Sequence, residues 1–352
     1  MNDQTAKAAI DSLIKKARVH LYKPIQIAEI LYRDRVNGDI TLNQIDTYRN
    51  ASKRWRDGIC FRFLGRASTS SQKFQDNLFE DNAIPPSVLS HLGQINREKN
   101  GIVEAYIYRR FHERMSQMSS GLDYCIQHDV STFSLQEFIN LFWHEPGLKR
   151  SIDKIYEIIV YSLFSALVDA IGVTIEVSMN PDKEAILREF EDFAHLVIRL
   201  SPECPSFKID AKIHRVGVTN ASDRGLDMFA NFGLAIQIKH LSLTEELAED
   251  IAHSVSADRI VIVCKDSEEK LIVSLLTQIG WKAKIQSIIT ESNLLIWYEK
   301  ALRGKYAADL GSVVIKNIRD EIQLEFPTTD NKDFQSFQTE RDYLSKKDDI
   351  WV

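Results

Sequence analysis

Apolar residues in the first part of the chain recur at the three- and four-residue intervals of amphipathic helices. Ile10, Leu13, Ile14 and Ala17 share one face, and Ile27, Ile30 and Leu31 share another after Pro24. Asn37-Gly38-Asp39 breaks the pattern, and Thr41 is placed to cap a further helix with Leu42 and Ile45 on its inner side. The stretch to about Phe79 therefore reads as helical. Loops are expected at Ser68-Thr69-Ser70-Ser71-Gln72 and from Asn82 to Pro86, where Pro85-Pro86 bars a regular helix. From Asn100 to about Phe142 the helical pattern returns.

The texture changes near residue 150. Ile155, Ile159, Leu163 and Leu167 line one stripe of a helix expected over 152–170, which Gly172 ends. Val173-Thr174-Ile175-Glu176-Val177 reads as a strand. Pro181 opens another helix, running to about Leu200 with Ile186, Phe190, Phe193 and Val197 inward. A strand from about Phe207 to Val218 leads into a loop, Thr219 to Arg224, and then a hairpin. A helix over 244–254, the apolar strand Arg259 to Cys264, a helix from Ser267 to Ile279 and a strand from Lys284 to Ile289 follow. Strands mixed with helices here, against helices alone before, predict an α/β (α+β) class: a mixed sheet with a mainly helical N-terminal region. Residues 327–352 turn polar and acid-rich and read as a tail.

Bulk properties narrow the possibilities. A chain of 352 residues is expected to form two or three compact units. No apolar run approaches the roughly 18 residues of a membrane span, and Met1 to Lys16 has no signal-peptide core. Cys60, Cys125, Cys204 and Cys264 lack C-x-x-C spacing, which disfavours a zinc site or disulfide framework and favours the cytoplasm. The net charge of −6 argues against a generic DNA-coating protein, yet Met1 to Arg66 holds 13 Lys and Arg against 7 Asp and Glu. Within it, Arg49, Lys53, Arg54, Arg56, Arg62 and Arg66 mix with Tyr48, Trp55, Phe61 and Phe63. That segment suits either a DNA-reading helical region or the solvated face of an ordinary one. No phosphate-cradling glycine motif, H-E-x-x-H or G-x-S-x-G occurs, so no nucleotide cofactor is expected.

The segment from Arg224 to His240 carries the chemistry. Asn231-Phe232-Gly233 fits a three-residue hairpin loop whose last position needs a left-handed backbone. That loop sets Ala230 against Leu234, Met228 against Ile236 and Leu226 against Ile238, an apolar face. The other face then brings Asp227 across from Gln237, with Lys239 two residues further along. Asp227 and Gln237 offer oxygen donors suited to Mg²⁺, and Lys239 can stabilise charge on a phosphoryl transition state. In-line attack of a water activated there would leave a 5′-phosphate and a 3′-hydroxyl. Spacing alone fits equally a hairpin with exposed Asp, Gln and Lys. His240 falls on the apolar face, as a core residue.

The layout resembles the PD-(D/E)xK nuclease superfamily: a helix, a β-meander carrying the aspartate and the (D/E)xK strand, a helix and a further strand. The elements at 152–170, 173–177, 225–230, 234–240, 244–254 and 259–264 follow that order, with 181–200 as an insertion. Arg215-Val-Gly-Val-Thr-Asn-Ala-Ser-Asp-Arg-Gly-Leu-Asp-Met-Phe-Ala-Asn-Phe-Gly, continuing to Gln237-Ile-Lys-His-Leu, is similar to type II restriction endonucleases of the HaeII family. So is Ala17-Arg-Val-His-Leu-Tyr-Lys-Pro-Ile-Gln-Ile-Ala-Glu-Ile-Leu-Tyr. The resemblance implies Asp227 as the metal-binding aspartate, Lys239 as the catalytic lysine, and Gln237 where Asp or Glu is usual. It also implies an acidic residue from the preceding helix, for which Glu157 is the candidate, against the reading of a solvated helix glutamate.

Implied too are Mg²⁺ as cofactor, double-stranded DNA as substrate, a homodimer and a target like purine-GCGC-pyrimidine. Arg49, Lys53, Arg54 and Arg56, with Asn220 and Arg224 from the loop entering the catalytic strand, are the expected DNA contacts; Asp223 and Arg224 could equally pair with each other. The chain then divides into a helical region with DNA recognition (1–150), a catalytic domain (151–326) and a polar tail (327–352). Two other readings stand beside it: a structure-specific repair or resolving nuclease on the same fold, and a DNA-binding regulator with a decayed nuclease core.

Overall fold

The computed structural model describes residues 2–17, 20–68, 77–143, 152–216, 226–239, 259–278, 285–325 and 331–347. The chain divides into two compact units: Met1–Ile158 with Ile318–Val352, and Ile159–Val216 with Arg224–Asn317. The main helices are α1 (Asp3–Lys16), α2 (Tyr22–Asn37), α3 (Ala51–Leu64), α4 (Pro86–Glu98), α5 (Ile102–Gln127), α6 (Leu135–Trp143), α7 (Ile152–Ile171), α8 (Glu269–Gln278), α9 (Glu291–Arg303), α10 (Ala307–Glu325) and α11 (Asn331–Glu340). Among the described residues no helix is long and apolar enough to cross a membrane.

The first unit is helical, as its apolar periodicity requires. Ile10, Leu13 and Ile14 of α1 and Ile27, Ile30 and Leu31 of α2 are all buried. Gly38 ends α2 in the left-handed conformation. The helix expected from Thr41 does not form; a single 3₁₀ turn, Ile45–Thr47, takes its place. Side chains capture the backbone instead: Thr47 Oγ1 accepts from Thr41 N at 3.1 Å, and Tyr48 Oη donates to Leu42 O at 3.0 Å. Pro86 starts α4, where its missing N–H costs nothing.

What closes this unit is the C-terminal segment. Phe334 and Phe337 of α11 lie edge-on to Phe63 of α3, each at 5.1 Å, and Phe337 meets Tyr108 of α5 at 4.8 Å. Two buried carboxylates receive the turn after α11. Tyr343 Oη donates to Glu104 at 2.6 Å, joining Arg35 at 2.9 Å and Asn96 at 2.5 Å. Arg341 donates to both oxygens of Glu29 at 2.6 and 3.2 Å, and the Tyr108 hydroxyl also bonds that carboxylate. Burial opposes the charge of Arg341, but the Glu29 carboxylate overrides it and holds the guanidinium firmly protonated.

The second unit is built on a five-stranded mixed sheet in the order β3 (Ile213–Arg215), β4 (Met228–Ala230), β5 (Leu234–Lys239), β6 (Arg259–Cys264), β7 (Ile285–Thr290). The pairs β3–β4 and β4–β5 are antiparallel; β5–β6 and β6–β7 are parallel. Ile260 to Cys264 are buried throughout, as expected of a strand covered on both faces. Thr290 caps α9 with a reciprocal Thr290–Asn293 box, and Tyr298 of α9 pins α7 through Ile159 O at 2.7 Å.

Three expectations need correction here. The stretch Phe207 to Val218 is not one strand: it divides into β2 (Ser206–Asp210) and β3, which belong to different sheets. Among the described residues the strand near 173–177, β1 (Thr174–Ser178), pairs with β2 and not with the five-stranded sheet, whose first strand is β3. The helix expected over 181–200 breaks into short helical turns, and Ile186, Phe190, Phe193 and Val197 point outward, each more than half exposed. The helix expected over 244–254 lies outside the described residues.

Candidate active site

The hairpin of β4 and β5 has the register that its loop dictates. Ala230 pairs with Leu234, Phe229 with Ala235, and Met228 with Ile236. Gly233 sits at φ +84°, with its N–H bonded to Ala230 O at 3.1 Å, a conformation that glycine adopts without strain. Met228, Ala230, Ile236 and Ile238 are buried, so the apolar face is the core face.

One residue before β4, Asp227 continues the β3–β4 ladder: its carbonyl accepts from Val216 N at 2.9 Å. Its carboxylate is held by the neighbouring strand, Oδ2 accepting from Ile238 N at 2.7 Å. An anionic oxygen on a backbone N–H is a strong, well-oriented bond. Asp227 is half-buried, and the register carried one residue beyond Met228–Ile236 puts it across the hairpin from Gln237. Gln237 is 0% exposed. A solvated surface glutamine is thus excluded, and an amide buried in the centre of a sheet needs a structural or chemical reason. Lys239 is the last residue of β5, in register with Cys264 of β6. Its side chain lies outside the described residues, as do His240, Asn220, Asp223 and Arg224.

Glu157 is 5% exposed, and Lys154 Nζ bridges its two oxygens at 2.7 and 2.6 Å. That rules out the solvated helix glutamate. Glu157 belongs to the first unit and Asp227 to the second. Among the described residues no group of three or more His, Cys, Asp or Glu is arranged to hold a metal ion. The hairpin donors are one carboxylate and one neutral amide.

The four expected basic contacts separate on burial. Arg54 is exposed, while Arg49 and Lys53 are half-buried. Arg56 is 2% exposed, with Nη1 on Gln26 Oε1 at 3.1 Å and Nε on Asp57 at 2.8 Å. Its guanidinium is used inside the helical unit and is not presented to a phosphate. Sequence reasoning placed Asn231 in the hairpin loop and missed what its side chain does. Its Nδ2 donates to Asp210 O at 3.0 Å and its Oδ1 accepts from Lys212 N at 2.8 Å, fastening the bend between β2 and β3 to the hairpin loop. An asparagine at a loop position, able to bond nearby backbone, was the available signal.

The profile of the HaeII restriction endonuclease family matches residues 6–343. The chain belongs to that family. It is 64% identical over 344 residues to the type II restriction enzyme HaeII of Haemophilus aegyptius, covering 97% of this chain and 98% of the relative. It is 59% identical over 344 residues to the type II restriction enzyme NgoBI of Neisseria gonorrhoeae, covering 97% of each. No solved structure matches the chain. Family membership assigns the class of enzyme: this HaeII-family chain is a restriction endonuclease, whose substrate is double-stranded DNA.

Proposed function

We propose that the chain is a magnesium-dependent type II restriction endonuclease of PD-(D/E)xK construction, with Asp227, Gln237, Lys239 and Glu157 as its catalytic set. The observation that carries this reading is the hairpin register, which, carried one residue further, sets Asp227, its carboxylate anchored on Ile238 N, across from Gln237 on the strand that ends at Lys239. The donor chemistry fits Mg²⁺, a hard ion content with one or two carboxylates if it keeps waters and phosphate oxygens. Asp227 and Gln237 would hold it. When bound, magnesium would supply Lewis-acid stabilisation of the developing phosphorane charge.

The chain's own residues do the rest. The Ile238 amide orients Asp227, so the carboxylate needs no reorganisation during the reaction. Gln237 contributes an uncharged oxygen, which weakens the hold on cations compared with a second acid. Lys239 would supply positive charge to the attacking water and the scissile phosphate. Water attacks phosphorus in line, the bond to the 3′ oxygen breaks, and a 5′-phosphate remains.

The proposed target is a palindrome like purine-GCGC-pyrimidine, read by a homodimer whose two-fold axis matches that of the site. Arg49, Lys53, Arg54, Asn220 and Arg224 are the proposed DNA contacts. Digestion of phage DNA with Mg²⁺ and with EDTA, followed by sequencing of the fragment ends, tests it. Discrete Mg²⁺-dependent fragments with 5′-phosphates at one hexamer are expected. Cleavage in EDTA, or ends without a common site, would refute the reading.

A further inference from the structure

Between β1 and β2 the chain makes an excursion to which the catalytic reading gives no task. Residues 181–198 run through a 3₁₀ turn, two short helical stretches and a π turn. Apolar residues recur at 186, 190, 193 and 197, the spacing of a helix with one face to bury. In the structure these side chains and the adjoining Leu196 are bare: Ile186 is 56% exposed, Phe190 and Phe193 53%, Leu196 79% and Val197 67%. A two-stranded sheet with broken helical turns has no core in which to hide them.

Size and charge indicate what covers this face. Five large apolar side chains at such exposure present on the order of 500 Å². That is most of the roughly 800 Å² which each partner of a stable complex buries. Residues 181–200 carry three Lys and Arg against five Asp and Glu, so neither a phosphate backbone nor an anionic lipid surface is attracted there. An apolar face with mixed charges at its edge fits protein.

We infer that this stripe is the interface between two copies of the chain, paired antiparallel about a two-fold axis near Leu196. That arrangement would set Asp192 of each copy towards Arg199 of the other, whose guanidinium lies over the Phe207 ring at 5.6 Å in the single chain, opposite charges at both ends of an isologous contact. The excursion is also tied to the catalytic hairpin. Ala211 N donates to Val173 O at 2.9 Å, Asn231 clamps Asp210 and Lys212, and Lys212 Nζ sits on Asp169 at 2.7 Å. Two copies joined here carry two catalytic hairpins in a fixed relation, one for each strand of a duplex. In that respect the inference rests on the homodimer proposed above and gives it a surface.

Sedimentation velocity of the full-length protein at micromolar concentration, without DNA, is the test. Wild type is expected at twice the chain mass. Leu196→Asp and Phe193→Asp are expected as monomers, at least 100-fold weaker in association, with unchanged far-UV circular dichroism because the side chains are exposed in the single chain. Asp192→Arg is expected to weaken the dimer, and adding Arg199→Asp to restore it. A monomeric wild type, dimers that survive Leu196→Asp and Phe193→Asp, no restoration by the double reversal, or loss of helical signal in the variants would overturn the inference. A dimer that fails to cut DNA would count against the proposed reaction alone, and a monomer that cuts would count against this interface alone.

Discussion

The Asp227 carboxylate lies one residue outside its strand, yet a neighbouring backbone amide holds it at 2.7 Å. Asp227→Asn keeps an acceptor for that amide while removing the negative charge, so it separates fold from chemistry. A loss of cleavage on the order of 10³-fold, in line with removing a transition-state contact, is expected with an unchanged far-UV spectrum. Gln237 is the more unusual residue, being neutral and fully buried. Gln237→Glu would bury a second charge, lowering the thermal midpoint without metal and enlarging the rise on adding Mg²⁺. Thermal melts with and without Mg²⁺ check it; an equal midpoint shift in wild type and variant would speak against Gln237 as a donor.

A pH effect belongs at the same scale. Asp129 Oδ1 accepts from the Ser131 and Thr132 hydroxyls at 2.7 and 3.0 Å, and from their backbone N–H groups, which holds its carboxyl down at about 2. A depressed carboxylate adds stability above its ordinary value near 3.8, and that contribution is lost as pH falls towards 2. Urea denaturation should therefore separate wild type from Asp129→Ala at pH 7, with the gap closing between about pH 4 and 2.

Among the elements, α11 and the turn after it bring Phe334, Phe337 and Tyr343 into the core of the helical unit and Arg341 onto Glu29. Arg341→Ala would leave Glu29 buried opposite only the Tyr108 hydroxyl among the partners named above, at a cost of about 3–5 kcal/mol by denaturant unfolding. A cost under about 1 kcal/mol, the range of exposed pairs, would contradict that role. None of this was legible in residues 327–352, which look polar because Phe334, Phe337 and Tyr343 stand singly among polar residues and because Arg341 and Tyr343 find their carboxylates, Glu29 and Glu104, far away in the chain. Local signals fared better. The stripes of α1, α2 and α7 and the register around Asn231-Phe232-Gly233 follow from spacing and loop chemistry alone. What spacing could not say was which way a stripe faces, as at Phe190 and Phe193. Nor could it say where a strand finds its partner, as for β1, or where one strand becomes two, as at Asp210 to Lys212 under the Asn231 side chain.

At the scale of the whole molecule, the family match extends over nearly the full length, so the helical unit and the sheet unit are both part of the enzyme class. The hairpin lies wholly within the sheet unit, and Glu157 lies in the helical one. Asp227 and Lys239 on this hairpin are the residues proposed to perform metal-dependent cleavage. Single-turnover cleavage of a duplex containing one purine-GCGC-pyrimidine site, with Mg²⁺, tests that proposal most directly on wild type, Asp227→Asn and Lys239→Ala, all shown to bind that duplex. Cleavage by wild type and none by either variant, with binding retained, is the predicted result. Cleavage that persists at the wild-type rate in Lys239→Ala or Asp227→Asn would place the active site elsewhere in the chain.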